Sequence, residues 1–283
     1  ERFTEKLSLF LQSTIPDDAL SDSVSTGKFE TFDEIYEELK LRFTQSRCDP
    51  FLKEFPYAWL ELNKINFMSP DPDHYRHYHR KRVSDDMVNE VLTFFQHIVS
   101  LDLPVTDLIF ADYSFVNADL ATIYDLNNIP PDSRLRKYTW TDGRRGGFIG
   151  MGAFLTLTAD SLGTSPIHRA VYIMEKFLGI HPTPPPADVL IKEPDIRSAK
   201  TIREVLEAHK SDQTCAACHQ RIDPYGWAFE NFGPNGSWRD FYSEGAADGN
   251  LSKHTKQKEI RIDASANFQN GIEYRDILDF RNH

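Results

Sequence analysis

Two thiols and an imidazole stand together at Cys215-Ala-Ala-Cys-His219, at a spacing that chemistry can use. C-x-x-C-H is the attachment pattern of c-type haem. Thiols three residues apart on one turn reach two vinyl groups on neighbouring edges of a porphyrin and form thioethers. The imidazole that follows stands beneath the iron as its proximal ligand. Small Ala216 and Ala217 let the backbone approach the ring. Three rival chemistries use part of this set. A redox-active C-x-x-C pair belongs in a thioredoxin-like βαβ setting, and no such pattern surrounds this one. A zinc centre needs further ligands, of which nearby His209 is a candidate. A plain disulfide leaves His219 without a role.

The residues that follow suit a flat apolar cofactor. From Arg221 to Arg239 the chain is dense in aromatics and turn formers. Asp223-Pro224-Tyr225-Gly226 predicts a turn. Trp227, Phe229, Phe232 and Trp238 can wall a macrocycle. A backbone carbonyl near Ile222 or Pro224 is expected to take the Nδ1 proton of His219 and fix its tautomer. Arg221 and Arg239 are candidate partners for propionates. The cofactor-binding set is therefore Cys215, Cys218, Arg221, Pro224, Trp227, Phe232, Trp238 and Arg239. The same pattern also fits an ordinary aromatic core with surface arginines.

A haem iron has a second axial position, filled by Met or His or left open. The chain offers Met68, Met87, Met151 and Met174. Met87 and Met174 fall on helical apolar stripes and read as core. Met151, between Gly150 and Gly152, is the expected second metal ligand beside His219, with His168, His209 and His181 as rivals. His209 continues an apolar helix face and reads as a packed histidine. Cys48 stands apart from the pair and reads as a small buried hydrophobe.

Helices must position these groups. Phe32, Ile35, Tyr36, Leu39 and Phe43 recur at helical spacing. A second helix is expected from about Ser84, as N-cap, to Ser100, and a third after Asn117. Asp71 to Arg82, with His74, His77 and His79, is read as a solvated loop, with a metal or anion site as the alternative. Phe154 to Thr158 reads as a short strand or buried extended segment. Thr164-Ser165-Pro166 opens a helix that Gly179 closes. His181 to Pro186 predicts a semi-rigid linker, and Thr201 caps the helix before the C-x-x-C-H segment. A little extended structure is expected near Ile260–Ile262. The fold class is mainly α, with little β: a helical N-terminal domain (1–142), a Gly-rich segment, helix and Pro-rich linker (143–186), and a cytochrome-c-like haem-binding helical domain (187–283).

Several pieces in order carry a family resemblance: Arg144-Arg-Gly-Gly-Phe-Ile-Gly, Phe154-Leu-Thr-Leu-Thr, Thr164-Ser-Pro-Ile-His-Arg, Phe177-Leu-Gly before the Pro run, Cys215-Ala-Ala-Cys-His, Asp223-Pro-Tyr-Gly-Trp-Ala-Phe-Glu-Asn-Phe, and Gly236-Ser-Trp-Arg. Over roughly residues 50–265 the chain resembles the large exported planctomycete-type c-haem proteins that carry domains of unknown function 1592 and 1588. The resemblance implies haem c and export, and a chain that is a fragment, a processed subunit or an abbreviated member. It implies no substrate.

Composition bounds the rest. In 283 residues, 32 basic side chains face 43 acidic ones, a formal net charge of −11. That balance argues against a nucleic-acid partner. The longest uncharged stretch, Gly146 to Ala159, falls short of the roughly 18 apolar residues a membrane span needs. The expectation is an exported, periplasmic mono-haem c-type cytochrome, as a domain or subunit, in electron transfer. Its redox partner would present a basic docking face, or it would sit in a larger multi-subunit complex. The alternatives are a peroxidase-like haem enzyme with an open distal site, where Arg144, Arg145 and the His74–His79 cluster are distal candidates, and a structural haem subunit of a larger redox complex.

Overall fold

The computed structural model describes residues 2–27, 29–44, 48–161, 163–183, 201–210, 213–242 and 260–283. Among them the chain is mainly helical, with thirteen α-helices and three two-stranded antiparallel pairs. The N-terminal half contains α1 (Arg2–Gln12), α2 (Asp18–Ser25), α3 (Phe32–Thr44), α4 (Asp49–Trp59), α5 (Arg76–Arg80), α6 (Val83–Ser100), α7 (Asp107–Phe110) and α8 (Ala118–Ile123). Strands β1 (Tyr113–Val116) and β2 (Arg136–Thr139) pair in it, with Tyr113 opposite Thr139.

The central helix α6 shows why this half folds. Met87, Val91, Phe94, Phe95 and Ile98 recur every three or four residues and all are buried. Phe95 packs on Phe51 and Phe55 of α4, with ring centroids 5.9 and 5.7 Å apart. α6 begins one residue before the expected cap: Arg82, at φ 52°, is the N-cap, and Ser84 lies buried in the first turn. Asn117 caps α8 as expected, its side chain accepting from the Leu120 N–H.

The middle of the chain belongs to two cores. It carries α9 (Gly152–Leu157) and α10 (Pro166–Lys176). Phe148, Met151 and Ala153 join the core built on α6, while Ile149, Phe154, Leu155 and Ile173 join a second core with Phe229, Phe232, Tyr274 and Ile277. Phe154–Thr158 is thus helical through Leu157, not extended. Buried on both sides, this segment satisfies its backbone within its own turn, and tertiary packing overrides the local β-preference. Ser165 and Pro166 open α10 as expected, the Ser165 hydroxyl accepting from the His168 N–H. The Trp59 indole N–H donates to the Lys176 carbonyl (3.0 Å) and the Tyr172 hydroxyl to the Leu60 carbonyl (2.8 Å), fastening α10 to the N-terminal half.

Then come α11 (Ile202–His209), capped by Thr201 as expected, α12 (Gln213–Ile222), 3-10 turns at Asp223–Tyr225 and Trp227–Phe229, and α13 (Ile277–Arg281). The short pairs β3 (Phe241–Tyr242) with β4 (Ile260–Arg261), and β5 (Ala266–Asn267) with β6 (Glu273–Tyr274), complete the fold. The expected extended structure near Ile260 is β4. Pro184 to Pro186 of the expected linker lies outside the described residues.

Candidate functional site

Cys215, Cys218 and His219 all stand on α12. Helical spacing of three and four residues brings them to one face. Cys215 is half-buried, Cys218 is exposed, and neither is in a disulfide. His219 is held from behind. Its Nδ1 lies 2.8 Å from Oδ1 of Asp223, one turn further on. A carboxylate only accepts, so Nδ1 carries the proton and Nε2 keeps its lone pair for a ligand. The expected acceptor was a backbone carbonyl near Ile222 or Pro224. The Pro224 carbonyl is instead taken by the Tyr274 hydroxyl of β6, and the chain continues from α12 into a 3-10 turn that sets the Asp223 side chain against the imidazole.

Asp223 is buried, and its other oxygen lies 3.3 Å from Lys210 Nζ, an ion pair without hydrogen-bond geometry. Lys210 follows α11, whose last residue is His209. The rings of His209 and His219 meet edge to face, with centroids 5.1 Å apart and planes at 72°. α11 is amphipathic, with Ile202, Val205, Leu206 and His209 on one stripe, yet among the described residues it buries no side chain. The stripe is therefore only half-buried, and at its C-terminal end the His209 ring meets that of His219. Among the described residues no three His, Cys, Asp or Glu side chains gather as a metal-ion cage. Two thiols and an imidazole on one helix face are a donor set that suits edge attachment of a flat group.

Other expected site residues are placed elsewhere or otherwise engaged. Met151 is 1% exposed in the α6 core, whereas α12 packs on α10 and the Asp223–Tyr225 turn. Trp227 is buried beneath the Arg203 guanidinium of α11 (4.1 Å). Phe232 and Trp238 meet edge to face (5.0 Å) and lie under Arg145 and Arg144 respectively. Arg239 pairs with the buried Glu230 carboxylate (2.7 Å) and covers Tyr242. Arg221 is exposed on α12. His168 and His181 are exposed. Cys48 is buried, and desolvation pushes its thiol up to about 11.

The arginines and glycines of the middle segment do structural work. Arg145, buried, donates to the Gly150 carbonyl (3.0 Å) and to that of Gly236. Arg169, fully buried, donates to the Phe229 carbonyl and lies within 3.5 Å of those of Leu155 and Gly233. A guanidinium that satisfies several carbonyls locks irregular backbone that has no ladder of its own. Gly236, at φ 78°, lies 3.1 Å from the Cα of Gly152 by the position of a would-be Cβ. In the 71–82 segment, part of which is α5, each histidine has a nearby oxygen: Asp71 for His74, the Asp119 carbonyl for His77 and the Pro70 carbonyl for His79.

Two groups escaped the reading of the sequence. Asp223 was visible only as a turn residue. Its signal was its place four residues after His219, the helical distance for side-chain pairs. Glu90 lies on the apolar face of α6, between Met87 and Phe94, and is fully buried. Ser114 and Tyr124 hydroxyls donate to it, each at 2.5 Å. Burial raises its carboxyl to about 7, against those hydrogen bonds and the nearby Arg145 charge, which lower it.

Fold and site define a mainly helical protein whose conspicuous chemical feature is one thiol–imidazole helix beside a second imidazole. Residues 2–126 match the family PSD4, a protein of unknown function (DUF1592), and residues 145–242 match PSCyt3, a protein of unknown function (DUF1588). The chain carries a domain of each. Comparisons with curated proteins and with solved structures find no match.

Proposed function

We propose that Cys215, Cys218 and His219 hold one covalently attached haem c, and that the chain is the electron-transfer module of an exported protein. The observation that carries this is the Asp223–His219 hydrogen bond, which leaves Nε2 free for a ligand on the helix that bears both thiols. The name PSCyt3, matched over residues 145–242, fits a cytochrome-like domain. Each thiol adds across a vinyl double bond: sulfur bonds to one carbon, the proton goes to the other, and no oxidant is consumed. Once bound, the iron supplies a one-electron ferric–ferrous couple. The chain's own residues do the rest. Cys215 and Cys218 fix the ring, His219 holds the iron, Asp223 holds the tautomer, and the half-buried stripe of α11 supplies apolar cover.

One observation favours electron transfer over peroxide chemistry. The distal candidates of the enzymatic reading are committed elsewhere, Arg145 to backbone carbonyls and Arg144 to Trp238. A net charge of −11 suits a basic redox partner met in a salt-dependent encounter. No helix among the described residues is long and apolar enough to cross a membrane. The test is expression in a host with cytochrome-maturation machinery, followed by a pyridine haemochrome spectrum. A c-type spectrum with both vinyl groups saturated is expected. Single Cys215→Ala and Cys218→Ala variants should each shift the band toward that of a one-thioether haem. A colourless product, or haem extracted by acid-acetone, would contradict the proposal.

A further inference from the structure

We infer that His209 is the second axial ligand of the iron held by His219, so that the haem of this chain is closed on both faces by imidazole. This deepens the haem reading above and rests on it. Three observations converge. First, the His209 ring meets that of His219 edge to face, with centroids 5.1 Å apart. Second, the carboxylate that holds His219, that of Asp223, also pairs with Lys210, the residue that follows His209. Third, α11 carries an apolar stripe with no buried side chain among the described residues. A macrocycle between α11 and α12 would cover that stripe, and the gain from burying it opposes the small separation the two rings need to admit a metal.

The rival for this position is Met151. It is fully packed in the α6 core, with Met87 and Tyr124 crowding the adjacent Gly152. Bringing its sulfur to α12 would dismantle that core. His209 needs no such rearrangement, because its helix is held by half-buried contacts.

Two imidazole ligands have a functional consequence. Both axial positions are filled, so no peroxide or other small molecule binds the iron without displacing a protein ligand. The potential also lies below that of a Met–His haem, since thioether ligation raises it.

The experiment compares the haem-loaded full chain with its His209→Ala, His209→Met and Met151→Leu variants by optical and electron paramagnetic resonance spectroscopy. The parent should be low-spin and unresponsive to azide. His209→Ala should become high-spin, bind azide, and regain the low-spin spectrum on adding imidazole. His209→Met guards against a variant that fails to retain haem: it should gain the long-wavelength thioether–iron band and a raised midpoint potential. Met151→Leu should match the parent. A haem-loaded His209→Ala protein that stays low-spin, a high-spin parent, or loss of the low-spin signal in Met151→Leu overturns the assignment while leaving covalent attachment intact. A colourless parent overturns attachment itself, and this inference with it.

Discussion

Asp223 governs what His219 can do. A carboxylate that draws on the Nδ1 proton makes the imidazole a stronger electron donor and stabilises the ferric iron it would bind. Asp223→Asn keeps the shape and removes the charge. The midpoint potential should rise by on the order of 60 mV, the one-electron equivalent of a tenfold change in equilibrium constant. Redox titration of the haem-loaded variant checks this; an unchanged potential would show that the carboxylate is only structural. In the sequence the proposed roles of Cys215, Cys218 and His219 rest on spacing alone, because a covalent chemistry would fix it. Asp223 was not legible there, because its role depends on how α12 passes into the next turn. Nor was the pairing of His209 with His219, since a histidine on an apolar stripe looks the same whether it packs or ligates.

At the scale of elements, α12 is positioned by the turn after it, and that turn is set against α10. The fit is close. A Cβ added to Gly226 would stand 1.9 Å from the Pro166 carbonyl oxygen, backbone that cannot rotate away. Gly226→Ala should therefore destabilise the protein by about 3 kcal/mol, at the upper end of overpacking costs. The expected lowering of Tm is read by thermal denaturation; a variant that melts with the parent would refute the contact. The helices α3, α6, α8, α10 and α11 were legible from period and caps, because amphipathic faces and capping side chains are local properties. The Phe154–Thr158 segment was misread for the opposite reason. Its residues favour extended structure when taken alone, and only burial between two cores makes a helix of them. Arg145 was read as a distal candidate, and Arg169 was given no role. Their carbonyl partners lie as far away as Gly236 and Phe229, at separations that no local pattern records.

The whole molecule carries its own titration. Glu90 sits in the α6 core with its carboxyl raised to about 7. The unfolded chain exposes an ordinary glutamate, which releases its proton at lower pH. Between those two values the folded state binds more protons than the unfolded one, so stability falls as pH rises. The contribution is fully present in acid below the ordinary carboxyl range and is lost by the time pH passes about 7. The loss is worth about 3 kcal/mol. Glu90→Gln removes the titrating group and should flatten the decline. Urea unfolding at pH 5 and pH 8 should show the parent weaker at pH 8, and the variant nearly equal at both. A parent whose stability does not fall between these values would contradict the burial of this carboxyl.

Covalent attachment at one short segment is the central claim, and a peptide mass tests it most directly. Trypsin cleavage after Lys210 and Arg221 releases Ser211 to Arg221, which contains both thiols and His219. From protein matured in a haem-loading host, this peptide should carry the mass of one haem, absorb in the Soret region, and resist alkylation at both cysteines. The same peptide recovered at its bare mass, with two alkylatable thiols, would contradict the account.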